Sequence, residues 1–271
     1  MRMRFLTYLL PIALLGVTSV LFYGAVTKDR EPTQSPRAAA TASASVSRQD
    51  ASICQGLFQR PAPGAPVSFP AHYTQRRDHA GLVILASPGV DPKAFDIAEQ
   101  TIDTMFATNS LKDYLVAEGA YIVIRDGDER VTDLPEFACL ASRYGPGFID
   151  HICGVADDAD YPIATVSELD LLGDREGPCR GLNVLYHEIG HLVQTWAIGP
   201  ADYYDVKQFY QDALSAGKYS GAYAGSNANE YFAEGTQAYF LSVDPRGRQN
   251  RAWLRSYDPD LFALLDRIYD D

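Results

Sequence analysis

The sequence predicts an α+β fold, with strands and helices mixed in the first half of the folded region and helices alone in the second. Three observations predict it. Ala80–Ala86 and Ala120–Arg125 are short apolar runs rich in Val, Ile and Leu, as buried strands are. Between them, Pro92–Ala107 and Leu111–Ala117 have the spacing of apolar residues expected of helices. Beyond residue 181, helical patterns follow one another over 182–196, 201–216, 228–240 and 258–269 without another strand-like run.

The third of these regions carries the chemistry. In Gly181–Trp196, the residues Leu182, Leu185, Ile189, Leu192 and Trp196 recur at spacings of three and four, which predicts a mostly buried helix. His187 and His191 are four apart and so lie one above the other on the same helical face, where both rings can hold one zinc ion. Glu188 follows the first histidine and can lean over the metal without ligating it, placed to take a proton from a zinc-activated water. His-Glu-x-x-His arises by accident in fewer than about one sequence in a hundred of this composition.

A tetrahedral catalytic zinc needs a third protein ligand and one open position. The extended signature His-Glu-x-x-His-x-x-Gly-x-x-His is excluded, because this chain has Gln194 and Ala197 where that pattern needs glycine and histidine. The alternative is a glutamate from a second helix, and the segment Tyr223–Phe240 supplies one. Glu230 and Glu234 share a helical face, with Glu230 the expected ligand and Glu234 the expected hydrogen-bond partner of a ligating histidine. Asn227 and Glu230 also fit a helix start, with asparagine as the N-cap and the glutamate folded back in a capping box. Two buried histidines that lack any other partner favour ligation.

The motif His187-Glu188-Ile-Gly-His191, followed by Tyr223-Ala-x-x-Asn227-x-x-Glu230-Tyr-Phe-Ala-Glu234, resembles the zincin metallopeptidases with a glutamate third ligand, the gluzincins, and in particular the domain family of anthrax lethal factor. Thr165–Leu172 and Arg180–Leu185 resemble the approach to the zinc helix in small exported relatives, so the likeness spans residues 80 to 243. It implies a zincin-like domain, with a mixed-sheet N-terminal lobe and a helical C-terminal lobe about a zinc cleft. It implies one Zn2+ per chain on His187, His191 and Glu230, with Glu188 as general base. Asn227 and Glu234 would support the ligands. Tyr223, seven residues before the glutamate ligand, would assist catalysis. An edge strand bordering the cleft would pair with a peptide substrate.

The rest of the chain sets the context. Arg2 and Arg4 precede an uncharged apolar run from Phe5 to Val26, the pattern of a signal peptide or signal anchor over 1–27. Residues 28–52 lack large apolar side chains except Val46 and are expected to be a flexible low-complexity linker. The catalytic domain is then 53–271, long enough for one core. An export signal makes the four cysteines, Cys54, Cys139, Cys153 and Cys179, disulfide candidates, and pairs Cys139–Cys153 and Cys54–Cys179 are expected. Six of the 23 Lys/Arg and three of the 35 Asp/Glu precede residue 53, which leaves a strongly acidic domain and argues against a nucleic-acid partner. Asp157, Asp158 and Asp160 lack the spacing of a calcium loop and are expected to be a solvated acidic loop within an irregular stretch from Gly127 to Gly181. His72, His79 and His151 have no paired spacing and are expected to be ordinary loop or surface residues.

The function expected is an exported zinc metalloendopeptidase, acting on a peptide or protein substrate and touching the membrane only through its N-terminal apolar segment. Two alternatives stay open: a non-hydrolytic extracytoplasmic binding module retaining the fold, and a zinc amidase acting on cell-wall peptides. An intact Glu188 argues against the first, since a structural site has no use for a general base.

Overall fold

The computed structural model describes residues 69–138, 140, 152–157, 161–242 and 249–270. The N-terminal apolar run, the linker, Cys54, Cys139, His151, Asp158 and Asp160 lie outside them. Five strands form one mixed sheet: β1 (Gln75–His79), β2 (Leu82–Ala86), β3 (Tyr121–Arg125), β4 (Gly154–Asp157) and β5 (Ile163–Ser167), in the spatial order β1-β2-β3-β5-β4. The three central strands are parallel, and β1 and β4 pair antiparallel at the two edges.

The first hairpin shows how local chemistry sets the ends of strands. The predicted strand Ala80–Ala86 begins at Leu82 because Ala80 (φ 49°) and Gly81 (φ 91°) form a two-residue turn that pairs His79 with Leu82. Two successive positive φ values twist the turn the way the flanking strands twist. The parallel step from β2 to β3 needs a crossover, supplied by α1 (Pro92–Met105) and α2 (Leu111–Ala117) as expected. Asp91 caps α1 by accepting from the Lys93 amide at 2.9 Å.

The stretch Gly127–Gly181, expected to be irregular, contains β4, β5 and the short helix α3 (Glu168–Leu171). All five residues of β5 are buried, yet Ile163-Ala-Thr-Val-Ser167 lacks the continuous run of large apolar residues that marks the equally buried β3. Helix α4 (Leu185–Leu192) follows and continues as a π turn over Val193–Ala197. It starts three residues later than the apolar spacing suggests, because the Asn183 side chain accepts from the Leu185 amide at 3.0 Å and closes the entry. Leu182 is nevertheless buried.

Helices α5 (Pro200–Ser215), α6 (Ala228–Phe240), α7 (Arg251–Tyr257) and α8 (Pro259–Asp270) complete the second half. Leu261, Leu264, Leu265 and Ile268 of α8 are buried, as the amphipathic pattern predicts. Helix α4 lies at the centre of the molecule, packed between β4 and β5 on one side and α6 on the other. Its Gly190 makes the second contact close: a β-carbon there would sit 3.1 Å from Thr236 and 3.3 Å from the Ala233 backbone. The fold is therefore α+β, with the sheet and the late helices meeting on the helix that carries both histidines.

One disulfide among the described residues corrects the expected pairing. Cys153 bonds Cys179, with 5.4 Å between their Cα atoms, so neither Cys139–Cys153 nor Cys54–Cys179 forms. Cys153 immediately precedes β4, and Cys179 lies in the turn after α3; the β5–α3 passage brings them together although 26 residues separate them. Such proximity is a product of tertiary topology, invisible to spacing alone. Among the described residues, no helix is long and apolar enough to cross a membrane.

Candidate metal centre

The site is built where α4 meets α6. His187 (1% exposed) and His191 (8%) both lie on the buried face of α4, and Glu230 enters from the first turn of α6. The His187 and His191 Nε2 atoms are 3.1 Å apart. Glu230 Oε2 lies 3.2 Å from the first and 3.5 Å from the second. Tetrahedral zinc with ligand bonds of about 2.0–2.1 Å holds its ligand atoms about 3.3 Å from one another. The three separations, 3.1, 3.2 and 3.5 Å, lie close to the edges of such a tetrahedron.

Chemistry agrees with geometry. Glu230 Oε2 is buried with no hydrogen-bond partner among the described residues, although two ring nitrogens face it within 3.5 Å. Three lone-pair donors turned on one point, one of them orphaned, fit a divalent cation. The same three residues form a group able to hold a metal. A second group, Cys153, Asp170 and Cys179, has both sulfurs committed to the disulfide and does not offer thiolates.

Each donor is fixed by its neighbours. Asn227 caps α6, its side chain accepting from the Asn229 and Glu230 amides at 2.9 Å each. Asn227 is thus the N-cap, as the helix-start expectation has it, but the Glu230 carboxylate does not fold back in a capping box and turns instead to the histidines. Asn227 acts through the backbone of Glu230 and not on a ring. Glu234, one turn later, puts Oε1 3.4 Å from His187 Nδ1, on the side of the ring away from Glu230. This orients the ring and favours the tautomer whose Nε2 lone pair points at Glu230. Burial disfavours a charged His187, but the Glu230 and Glu234 carboxylates outweigh it and raise its pKa. Burial likewise opposes ionisation of Glu230, yet the His187 and His191 rings hold its pKa well below the usual range.

Glu188 stands beside this group, 2% exposed and buried against β4. Its Oε1 has no hydrogen-bond partner among the described residues. Burial raises its pKa to about 7, with the two histidine rings pulling the other way and Glu230 and Glu234 adding to the rise. Such a carboxyl gains and loses a proton near neutral pH. Tyr223, in a short 3-10 turn ahead of α6, has its ring centroid 6.3 Å from that of His187. Burial, then the nearby Glu230 carboxylate, keep its phenol protonated.

The tertiary structure thus brings together His187, Glu188, His191, Tyr223, Glu230 and Glu234. It adds two neighbours that no sequence pattern marks. Gln194 donates to Asn229 Oδ1 at 3.2 Å, tying the end of α4 to the start of α6. Gly154 of β4 lies against Glu188, where a β-carbon would come within 2.6 Å of Oε1. Of the remaining histidines, His72 pairs with Glu129 and His79 with Asp103, both at 2.7 Å and both partly exposed, as ordinary loop and surface residues do.

No protein-family model matches the chain, and no curated protein sequence matches it. Among solved structures, that of the Pro-Pro endopeptidase PPEP-2 from Paenibacillus alvei is similar, at 18% identity and a TM-score of 0.49, over 69% of this chain and 97% of that one.

Proposed function

We propose that this chain is an exported zinc metalloendopeptidase of the gluzincin type, hydrolysing peptide bonds with Glu188 as general base. The observation that carries the proposal is the triangle of His187, His191 and Glu230 donor atoms, with edges of 3.1, 3.2 and 3.5 Å, beside a buried carboxyl that is not one of its corners. One zinc ion per chain, held by those three residues, would polarise the scissile carbonyl and acidify the attacking water.

The chain's own residues do the rest. Glu188 accepts the proton of the attacking water on its carboxylate and delivers it to the departing amine. Its burial beside the three donor atoms, without being one of them, places the carboxylate for both halves of that task. Tyr223, kept protonated, donates a hydrogen bond to the oxyanion of the tetrahedral intermediate. Glu234 holds the His187 ring, and Asn227 holds the backbone from which Glu230 projects. β4 ends the sheet, with no further strand paired to it among the described residues, and its backbone would offer an extended peptide main-chain recognition next to the general base.

The Cys153–Cys179 disulfide supports an oxidising compartment, and the apolar run over residues 5–26 supports export with a cleaved or retained anchor. Incubation with a diverse peptide library, with and without a chelator, tests the proposal. Cleavage within peptides that is lost on chelation and restored by zinc is the expected result. Cleavage confined to cell-wall peptides would make it an amidase, and zinc binding without any cleavage would make it a binding module.

A further inference from the structure

The strand that borders Glu188 is gripped from behind by a buried guanidinium. Arg125 ends β3 and is 4% exposed. Its Nη2 donates to the Ile152 carbonyl at 2.7 Å and the Cys153 carbonyl at 3.2 Å, the two residues that lead into β4. Its Nη1 donates to the Glu129 carbonyl at 2.7 Å. Since β5 lies between β3 and β4, Arg125 reaches across a whole strand to do this.

The far end of the same unit is fixed as well. Cys153 is bonded to Cys179, and the buried Asp170 carboxylate accepts from the Cys179 and Gly181 amides at 3.0 Å. Arg125 and Asp170 attract one another through the interior. The residue that follows Cys153 is Gly154, the one pressed against Glu188. A guanidinium is costly to bury, and an apolar side chain would fill the same volume at less cost. Three converging carbonyls are matched by a planar fork of several donors, which only arginine provides.

We propose that Arg125 is a positioning residue for peptide hydrolysis: by fixing the Ile152 and Cys153 carbonyls it holds Gly154 against the Glu188 carboxylate and so sets where the general base stands. This rests on the metallopeptidase proposal above. It touches neither metal ligand nor substrate, so its effect falls on turnover and not on metal or peptide binding.

The test compares Arg125→Lys and Arg125→Met in the full chain, with circular dichroism to establish folding. Zinc content, kcat and KM on a cleaved peptide, and amide hydrogen exchange over residues 154–157 are measured for each. The expected result is a full complement of zinc, a KM within about twofold of the parent, and a kcat lowered about tenfold or more in Arg125→Met. Arg125→Lys, which keeps the charge but has a single donor nitrogen in place of the planar fork, recovers part of that loss. Exchange speeds up over 154–157 while α6 stays protected. If Arg125→Met does not fold, Arg125→Lys alone decides. An unchanged kcat in a folded variant overturns the proposal, and so does a loss of zinc or a rise in KM that accounts for the whole effect. A wild-type chain that binds zinc and cleaves no peptide refutes the peptidase proposal itself and this role with it, whereas a wild type and variants that cleave alike refute only Arg125.

Discussion

Gly154 and Glu188 are separated by so little that a β-carbon on the glycine would lie 2.6 Å from Glu188 Oε1 and 2.6 Å from the Thr165 carbonyl. One clashing group is a carboxylate and the other is backbone in the neighbouring strand, so the carboxylate is what moves. Gly154→Ala should therefore reduce kcat about tenfold to a hundredfold while zinc content stays complete. Steady-state kinetics together with metal analysis checks this. Unchanged turnover would mean that Glu188 tolerates displacement.

Glu188 and Glu230 should separate cleanly. Glu188→Gln should abolish turnover with zinc still bound, because its oxygen is not one of the three converging atoms. Glu230→Ala should weaken zinc binding itself by removing a corner of the triangle. Metal titration of both variants decides between these outcomes, and a Glu188→Gln protein that still cleaves would remove the general-base role.

Tyr223→Phe keeps the ring beside His187 and deletes only the hydroxyl. Loss of an oxyanion donor costs on the order of 3 kcal/mol, so kcat should fall about a hundredfold with KM little changed. If both constants stay put, the phenol has no part in turnover.

Glu234→Ala frees the His187 Nδ1 side and should cut zinc affinity about tenfold to a hundredfold, with the fold intact. Competition against a chelator of known affinity measures it, and an affinity equal to the parent's would show that Glu234 does not orient the ring.

Asp170 makes a prediction about stability and pH. Burial raises its carboxyl to about 6, against the opposing pull of the Cys179 and Gly181 amides and Arg125. The native state therefore binds this proton more tightly than the unfolded chain does. The stability it contributes is complete below about pH 4 and is lost as pH rises through about 6, a change on the order of 3 kcal/mol. Chemical denaturation of the parent and Asp170→Asn across that window should show a steeper downward slope in the parent, since the buried Glu188 adds the same fall to both. Parallel slopes would refute it.

The parts of the site legible in the sequence are those that helical geometry decides locally. His187 and His191 share a face because they are four apart, and Asn227 caps α6 because its short side chain reaches amides two and three residues on. The helices 92–105, 111–117, 200–215 and 259–270 follow for the same reason, since a periodic apolar stripe is a local pattern. The strands β4 and β5 were not legible, because Gly154–Asp157 is only four residues long and Ile163–Ser167 mixes small and polar residues with its apolar ones, unlike the continuous apolar run that marks the equally buried β3.

Residue types and their spacing, then, determined by themselves which donors this chain owns and which of them share a helical face. Tertiary structure alone decided that Glu230 meets the two rings, that Cys153 pairs with Cys179, and that Arg125 and Gly154 stand behind Glu188. Each of these joins segments tens of residues apart, and such contacts form because a sheet and a helix pair bury their apolar faces against one another, a requirement that no single stretch of sequence expresses.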